Sequence, residues 1–281
     1  MKAGKADGNV YPLVVSNFIL RTTLFLVLIQ ITAPVRVSAA GGQNELRQTA
    51  SHQKAALRIA VASNFALTAR ALANDYESQS ANRVVIISGS TGKHYAQIIN
   101  GAPFDIFLAA DTLRPALLEE EGFIDTGTRR TYAIGRLVLW SAKSGIVDEE
   151  GHILERLDQY RIAVANERLA PYGVAAREVI SGAQHWNQMR DSLIRGENIS
   201  QVYHFVASGG ADAGFVALSS VINRGGDAPG AYWIIPQKLY TPIDQQAVIL
   251  RSSLAAIDFM AYLGSEDAKA IISTSGYRVP Q

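Results

Sequence analysis

No cysteine occurs in the 281 residues. Disulfides, thiolate metal sites and cysteine nucleophiles are therefore excluded. Charge is scarce as well, at 18% of residues, and 26 Lys+Arg nearly balance 25 Asp+Glu. A net charge of +1 leaves no polybasic surface, so no nucleic-acid partner is expected. No apolar run reaches the ~20 residues that span a bilayer. The five histidines (His52, His94, His152, His185, His204) are scattered, with no metal-ligand spacing. The stretch Gly89-Ser-Thr-Gly-Lys-His94 looks like a phosphate loop but fails twice. Ile87 fills the place of its first glycine, and His94 the place of its hydroxyl. Ser63 lacks the nucleophile elbow of serine hydrolases.

What is present is a chain with 48% hydrophobic residues, long enough for roughly two domains of about 150 residues each and a sizeable core. Its start differs from the rest. Arg21 precedes a short apolar run at 22–33, and Val37 and Ala39 fit a small-residue cleavage site. Residues 1–39 thus read as a secretory signal peptide, and 40–55 as a polar linker. Removing the four leader bases (Lys2, Lys5, Arg21, Arg36) from 26 leaves 22. Removing Asp7 from 25 acids leaves 24, so the body is slightly acidic.

Strands are expected at Leu57–Ala62, Arg83–Ile87, Phe104–Ala109, Tyr132–Trp140, Arg161–Ala165, Gln201–Ala207, Gly214–Ala217, Tyr232–Ile235 and Gln246–Ile249. Helical patterns fall at Phe65–Tyr76, Tyr95–Ile99, Leu113–Glu120, from about Gly173 to Ser181, and around Ser252–Leu263. Alternation of this kind predicts βαβ units and mainly parallel sheets.

Three strand-to-helix turns carry small or polar residues: Ser63-Asn64, Gly89-Ser90-Thr91-Gly92 and Pro171-Tyr172-Gly173. In an α/β sheet such turns share the carboxyl edge, where ligands bind. Each opens a helix, so free N–H groups and the positive dipole end point there. Convergence of three would form an anion site with no charged side chain. Singly, each hydroxyl is an ordinary N-cap. Asp105 and Asp111 flank one strand and make a poor acid/base pair, and Gly209–Gly214 reads as a tight turn into a strand.

The segments VASNF (61–65), GSTGKHYAQIINGAPFDIFLAAD (89–111), LAPYGVAARE (169–178), GENISQ (196–201) and GADAGFVA (210–217) resemble the periplasmic molybdate-binding proteins of ABC transporters. The match runs in order through most of 56–281. The resemblance implies a type II two-lobed α/β fold, each lobe a mainly parallel sheet flanked by helices, with a double-stranded hinge. It implies lobes at 56–138 plus 240–281 and at 139–239, with crossings near Leu139 and Pro236. It also implies a periplasmic monomer that binds molybdate or tungstate, hands it to a membrane permease, needs no cofactor and is not an enzyme. The family's ligand contacts fall on Ser63, Asn64, Thr91 with Ser90 beside it, and the backbone N–H groups of Tyr172 and Ile199. Ala217 stands where some members carry a tyrosine donor. The rivals are a receptor for sulfate or phosphate and, from another class, a secreted hydrolase using Ser63 or Ser90.

Overall fold

A computed structural model of the chain describes residues 56–222 and 229–280. The expected leader and linker, 1–39 and 40–55, lie outside the described residues. The elements group around two five-stranded sheets.

The first sheet holds β1 (Leu57–Ala62), β2 (Val84–Gly89), β3 (Ile106–Leu108), β4 (Arg130–Gly135) and β10 (Ile243–Ile249), in the order β2-β1-β3-β10-β4. Strand β1 pairs in parallel with β2 and β3, whereas β10 runs antiparallel to β3 and β4. Helices α1 (Ala66–Gln79), α2 (Thr91–Ile99), α3 (Leu113–Glu120), α8 (Leu254–Leu263) and α9 (Glu266–Thr274) belong to this lobe. Two apolar clusters build its core. One gathers Phe65, Leu72, Tyr76 and Phe259, and the other Ile98, Phe104, Phe107 and Leu118.

The second sheet holds β5 (Leu137–Ser141), β6 (Ile162–Ala165), β7 (Ile194–Gly196), β8 (Ala213–Ala217) and β9 (Ala231–Ile234), in the order β7-β6-β8-β5-β9. Here β6 pairs in parallel with β7 and β8, and β5 runs antiparallel to β8 and β9. Its helices are α4 (Pro171–Gly182), α5 (Trp186–Met189), α6 (Ile199–Ala207) and α7 (Leu218–Ile222). Both sheets are mixed. Strands followed by crossover helices must run parallel, whereas the chain that leaves a lobe and the chain that returns run in opposite directions.

The run expected as one strand, Tyr132–Trp140, is two strands in two sheets, separated at Arg136. Both halves are apolar, so periodicity cannot reveal the change of partner. Leu137 and Val138 pair with Ala217 and Val216 in the second sheet. The Leu137 N–H donates to the Tyr240 hydroxyl at 3.1 Å, and the Leu218 N–H to the Arg136 carbonyl at 3.0 Å. The chain returns between Ile234 and Ile243, and the two crossings lie side by side, the Ile235 N–H donating to the Leu137 carbonyl at 3.1 Å.

The segment Gln201–Ala207, expected as a strand, is the body of helix α6. Its β-branched residues suggest a strand. Burial of Ile199, Val202, Tyr203 and Val206 follows the helical three-four spacing instead, and Asn198 caps the start. The C-terminal helix is also followed by a second one, which Ser265 caps by accepting from the Ala268 N–H at 3.2 Å.

Candidate functional site

Strand β1 ends at Ala62, and residues 63–65 make a single 3-10 turn before α1. Strand β2 ends at Gly89 and α2 begins at Thr91. On the second lobe, α4 opens at Pro171 and α6 at Ile199. These four openings meet. Ser63, Asn64, Ser90, Thr91, Tyr172 and Ile199 all line one small cavity, together with Ala62, Ala110, Ala170 and Pro171. No charged side chain lines it. The cavity is thus walled by both lobes.

The hydroxyls at these turns do not act as caps. The 3-10 turn, α2 and α4 have no side-chain cap, whereas Asn198, Ser253 and Ser265 cap α6, α8 and α9. Ser90 is 2% exposed, and its Oγ has no protein partner. An unpartnered buried hydroxyl costs about 1–3 kcal/mol, so one that faces a cavity points to a ligand. The Thr91 Oγ1 accepts the Ala110 N–H at 3.1 Å. That bond occupies a lone pair and leaves the hydroxyl proton free to donate.

At α6, the Asn198 side chain accepts from the Ser200 and Gln201 N–H groups at 3.0 and 3.2 Å. The second and third N–H groups of the helix are thereby used, and the first, on Ile199, is left for the cavity. At α4, Pro171 has no N–H and Gly173 donates to the Ala170 carbonyl at 2.8 Å. Tyr172, between them, lies too early in the helix for an i−4 helical acceptor. Its side chain turns away, and its hydroxyl sits where a Cβ on Gly135 would go. Burial holds that hydroxyl's pKa well above the ordinary tyrosine value. Tyr172 therefore packs its ring at the hinge and presents its backbone to the cavity.

Asn64 is likewise turned. Its Nδ2 donates to Gln245 Oε1 at 2.9 Å and to the Tyr277 hydroxyl at 3.2 Å. Its side chain braces the first lobe, which leaves the backbone to face the ligand side. Ala217 ends β8 fully buried in the second lobe's core and is not among the lining residues.

The lobes are closed on each other. The Gly92 N–H donates to the Leu169 carbonyl at 2.8 Å, and Arg114 reaches the Arg168 carbonyl at 2.9 Å. Ser200 Oγ donates to the Ser63 carbonyl at 3.1 Å, and Ser219 Oγ and the Tyr277 hydroxyl donate to the Asn64 carbonyl at 3.0 and 2.7 Å. The last three bonds occupy the carbonyl acceptors of the Ser63–Asn64 turn. Lys93 lies outside the lining and pairs with Glu197 of the other lobe at 3.0 Å.

His94, just past the Gly89–Gly92 turn, is structural. Its Nε2 donates to the Val61 carbonyl at 3.2 Å, and Nδ1 meets the Gln97 amide at 3.1 Å. Burial lowers its pKa and keeps the ring neutral. The His94 imidazole is therefore not aimed at Ser63 or Ser90. Asp105 accepts the Arg58 N–H at 2.7 Å and Asp111 pairs with Arg114, so these carboxylates are structural too. Asp148, Glu150 and His152 gather on a loop, where Asp148 accepts the His152 N–H at 3.0 Å and accounts for the grouping.

The residues that sequence reasoning missed are the closure contacts Gly92, Leu169, Ser200 and Ser219, and Tyr277, which holds the Asn64 turn within the first lobe. Ser200 and Ser63 stand 137 positions apart, and Tyr277 and Asn64 stand 213 apart, so no local spacing signals them.

The family model described as bacterial extracellular solute-binding protein matches residues 57–278. The chain is 42% identical over 228 residues to the molybdate-binding protein ModA of Azotobacter vinelandii, spanning 80% of this chain and 90% of that protein. It is 40% identical over 221 residues to the molybdate-binding protein ModA of Rhodobacter capsulatus, spanning 78% and 86%. The solved periplasmic molybdate-binding protein of Azotobacter vinelandii matches with a TM-score of 0.76 at 41% identity, covering 80% of this chain and 100% of that one.

Proposed function

Because the chain belongs to the bacterial extracellular solute-binding proteins, in their molybdate-binding branch, we propose that it captures molybdate or tungstate between its lobes. It is a binding component of transport and not an enzyme, and it holds its oxyanion as cargo. Delivery to a membrane ABC permease, action as a monomer and residence in the periplasm complete the proposal. Processing near Ala40 is part of it, and mass spectrometry of the exported chain reads that start directly.

The observation that carries the proposal is the buried Ser90 hydroxyl without a protein partner, in a cavity shared with the other five candidate residues. Ser63, Ser90 and Thr91 donate through hydroxyls, and Asn64, Tyr172 and Ile199 through backbone N–H groups. Charge on the anion is balanced by these dipoles and by the helix openings. Closure excludes water, which strengthens each hydrogen bond. It also makes the loaded protein distinguishable from the empty one by shape.

The donor-rich lining sets selectivity. A ligand that retains a proton finds few acceptors for it, and a buried O–H without a partner costs about 1–3 kcal/mol. Phosphate near neutral pH is therefore disfavoured. Sulfate carries no proton, and a smaller anion is rejected only if closure leaves donors out of reach. The experiment is competition. Molybdate is bound to saturation, and sulfate or phosphate is added in large excess. Retention of molybdate is expected. Displacement at comparable concentration moves the protein to a sulfate- or phosphate-type receptor.

A further inference from the structure

A second pocket adjoins the first. It has a volume of ≈ 210 Å³ between the lobes, and Ser63 and Asn64 form part of its wall as they do of the closed cavity. Arg70 of α1 and His204 of α6 line it from opposite lobes, with the hydroxyls of Ser88, Ser200 and Ser220. No carboxylate lines it. Arg70 is exposed and enters no ion pair among the described residues. Arg114, Arg129 and Arg161, by contrast, are held by Asp111, Glu119 and Asp212.

The geometry points to an encounter site for the oxyanion: the Arg70 pocket collects the hydrated dianion before it passes the Ser63 turn into the closed cavity. This rests on the anion-binding reading above and adds a route to it. The inner cavity has no formal charge, which suits selectivity but gives no long-range attraction. An unpaired guanidinium in a groove walled by protein supplies that attraction, because the low-dielectric walls focus its field. The His204 imidazole and the serine hydroxyls add donors that water can share, so the anion is held loosely and keeps its hydration. Shedding that hydration belongs to the inner site, whose donors are already placed. The common wall at Ser63 lets the anion exchange one set of donors for the next without returning to bulk water.

The test uses the full mature protein, radiolabelled molybdate and rapid filtration to obtain kon and koff, with Kd from calorimetry. The variants are R70Q, R70K and the double variant R70Q/H204Q. The residues are exposed, and a thermal melt of each variant confirms folding. At low salt the double variant is expected to bind about 3- to 10-fold more slowly, with Kd changing by less. R70K is expected to retain most of the wild-type rate, and added salt is expected to erase the difference between wild type and R70Q. An unchanged kon in the double variant at low salt overturns the encounter site. So does a change confined to koff, which marks a disturbed Ser63 turn. Wild-type protein that shows no equilibrium binding of molybdate refutes the anion-binding reading itself, which separates the two failures.

Discussion

Gly92 separates closure from folding, so Gly92→Ala is the sharpest single test of how affinity arises. A Cβ at this position meets the Leu169 Cα at 3.1 Å, the Leu169 carbonyl oxygen at 3.2 Å and the Arg168 oxygen at 3.4 Å. All three atoms are backbone of the opposite lobe. None can swing aside, so the lobes must part by a few tenths of an ångström, which stretches the 2.8 Å bond from the Gly92 N–H to the Leu169 carbonyl. Overpacking costs about 1–3 kcal/mol and a weakened backbone bond about 0.5–1.5 kcal/mol. Partial loss of each gives about 1–2 kcal/mol against the closed state, or roughly a 5- to 30-fold rise in Kd. Within its own lobe the change is benign. Alanine favours a helix over glycine by up to about 1 kcal/mol, so the ligand-free melting temperature is expected to hold or rise. The assay pairs calorimetric titration of molybdate with a thermal melt of the ligand-free variant. An unchanged Kd in a folded Gly92→Ala protein refutes the claim that the Gly92–Leu169 contact belongs to the ligand-bound state.

Ser90→Ala removes a buried hydroxyl that has no protein partner. Calorimetry should show roughly 10- to 150-fold weaker molybdate binding, with no fall in the ligand-free melting temperature. Lys93→Met breaks the cross-lobe pair with Glu197, whose side chains are 52% and 37% exposed. Affinity should drop by no more than about 5-fold at low salt and not at all at high salt, as exposed pairs contribute little. His94 is held neutral by burial below its ordinary value of 6.5. The unfolded chain takes up that proton first, so stability falls as pH drops below 6.5 toward the lowered value. Denaturant titrations at a series of pH values should show this slope in the wild type and a shallower one in His94→Gln.

The sequence by itself determined the local features. Apolar β-branched runs at Leu57–Ala62 and Arg161–Ala165 form strands because burying them on a sheet requires it. The small residues at 63–64, 89–92 and 171–173 mark helix openings, and alternation with helices places those openings on one edge. Ser63, Asn64, Ser90, Thr91 and Tyr172 were legible for that reason, since they sit at strand ends or helix starts, whereas Ile199 came only from the family resemblance. Even so, local reasoning misread α6 as a strand and joined β4 to β5 across Arg136. Those readings turn on which apolar surface a segment meets, and no single segment carries that information.

Only the tertiary structure decided what each candidate does. It turned the Asn64 side chain into the first lobe and the Tyr172 ring into the hinge, leaving their backbones for the ligand. It used Thr91 Oγ1 as an acceptor for Ala110 and left Ser90 Oγ without a partner. It placed Lys93 against Glu197 rather than in the cavity. Several of these outcomes depend on groups far apart in the chain: Asn64 meets Gln245 and Tyr277 within the first lobe, and Lys93 meets Glu197 across the lobes. A hydroxyl or amide bonds whatever donor or acceptor folding brings within about 3 Å, and spacing along the chain does not encode that distance.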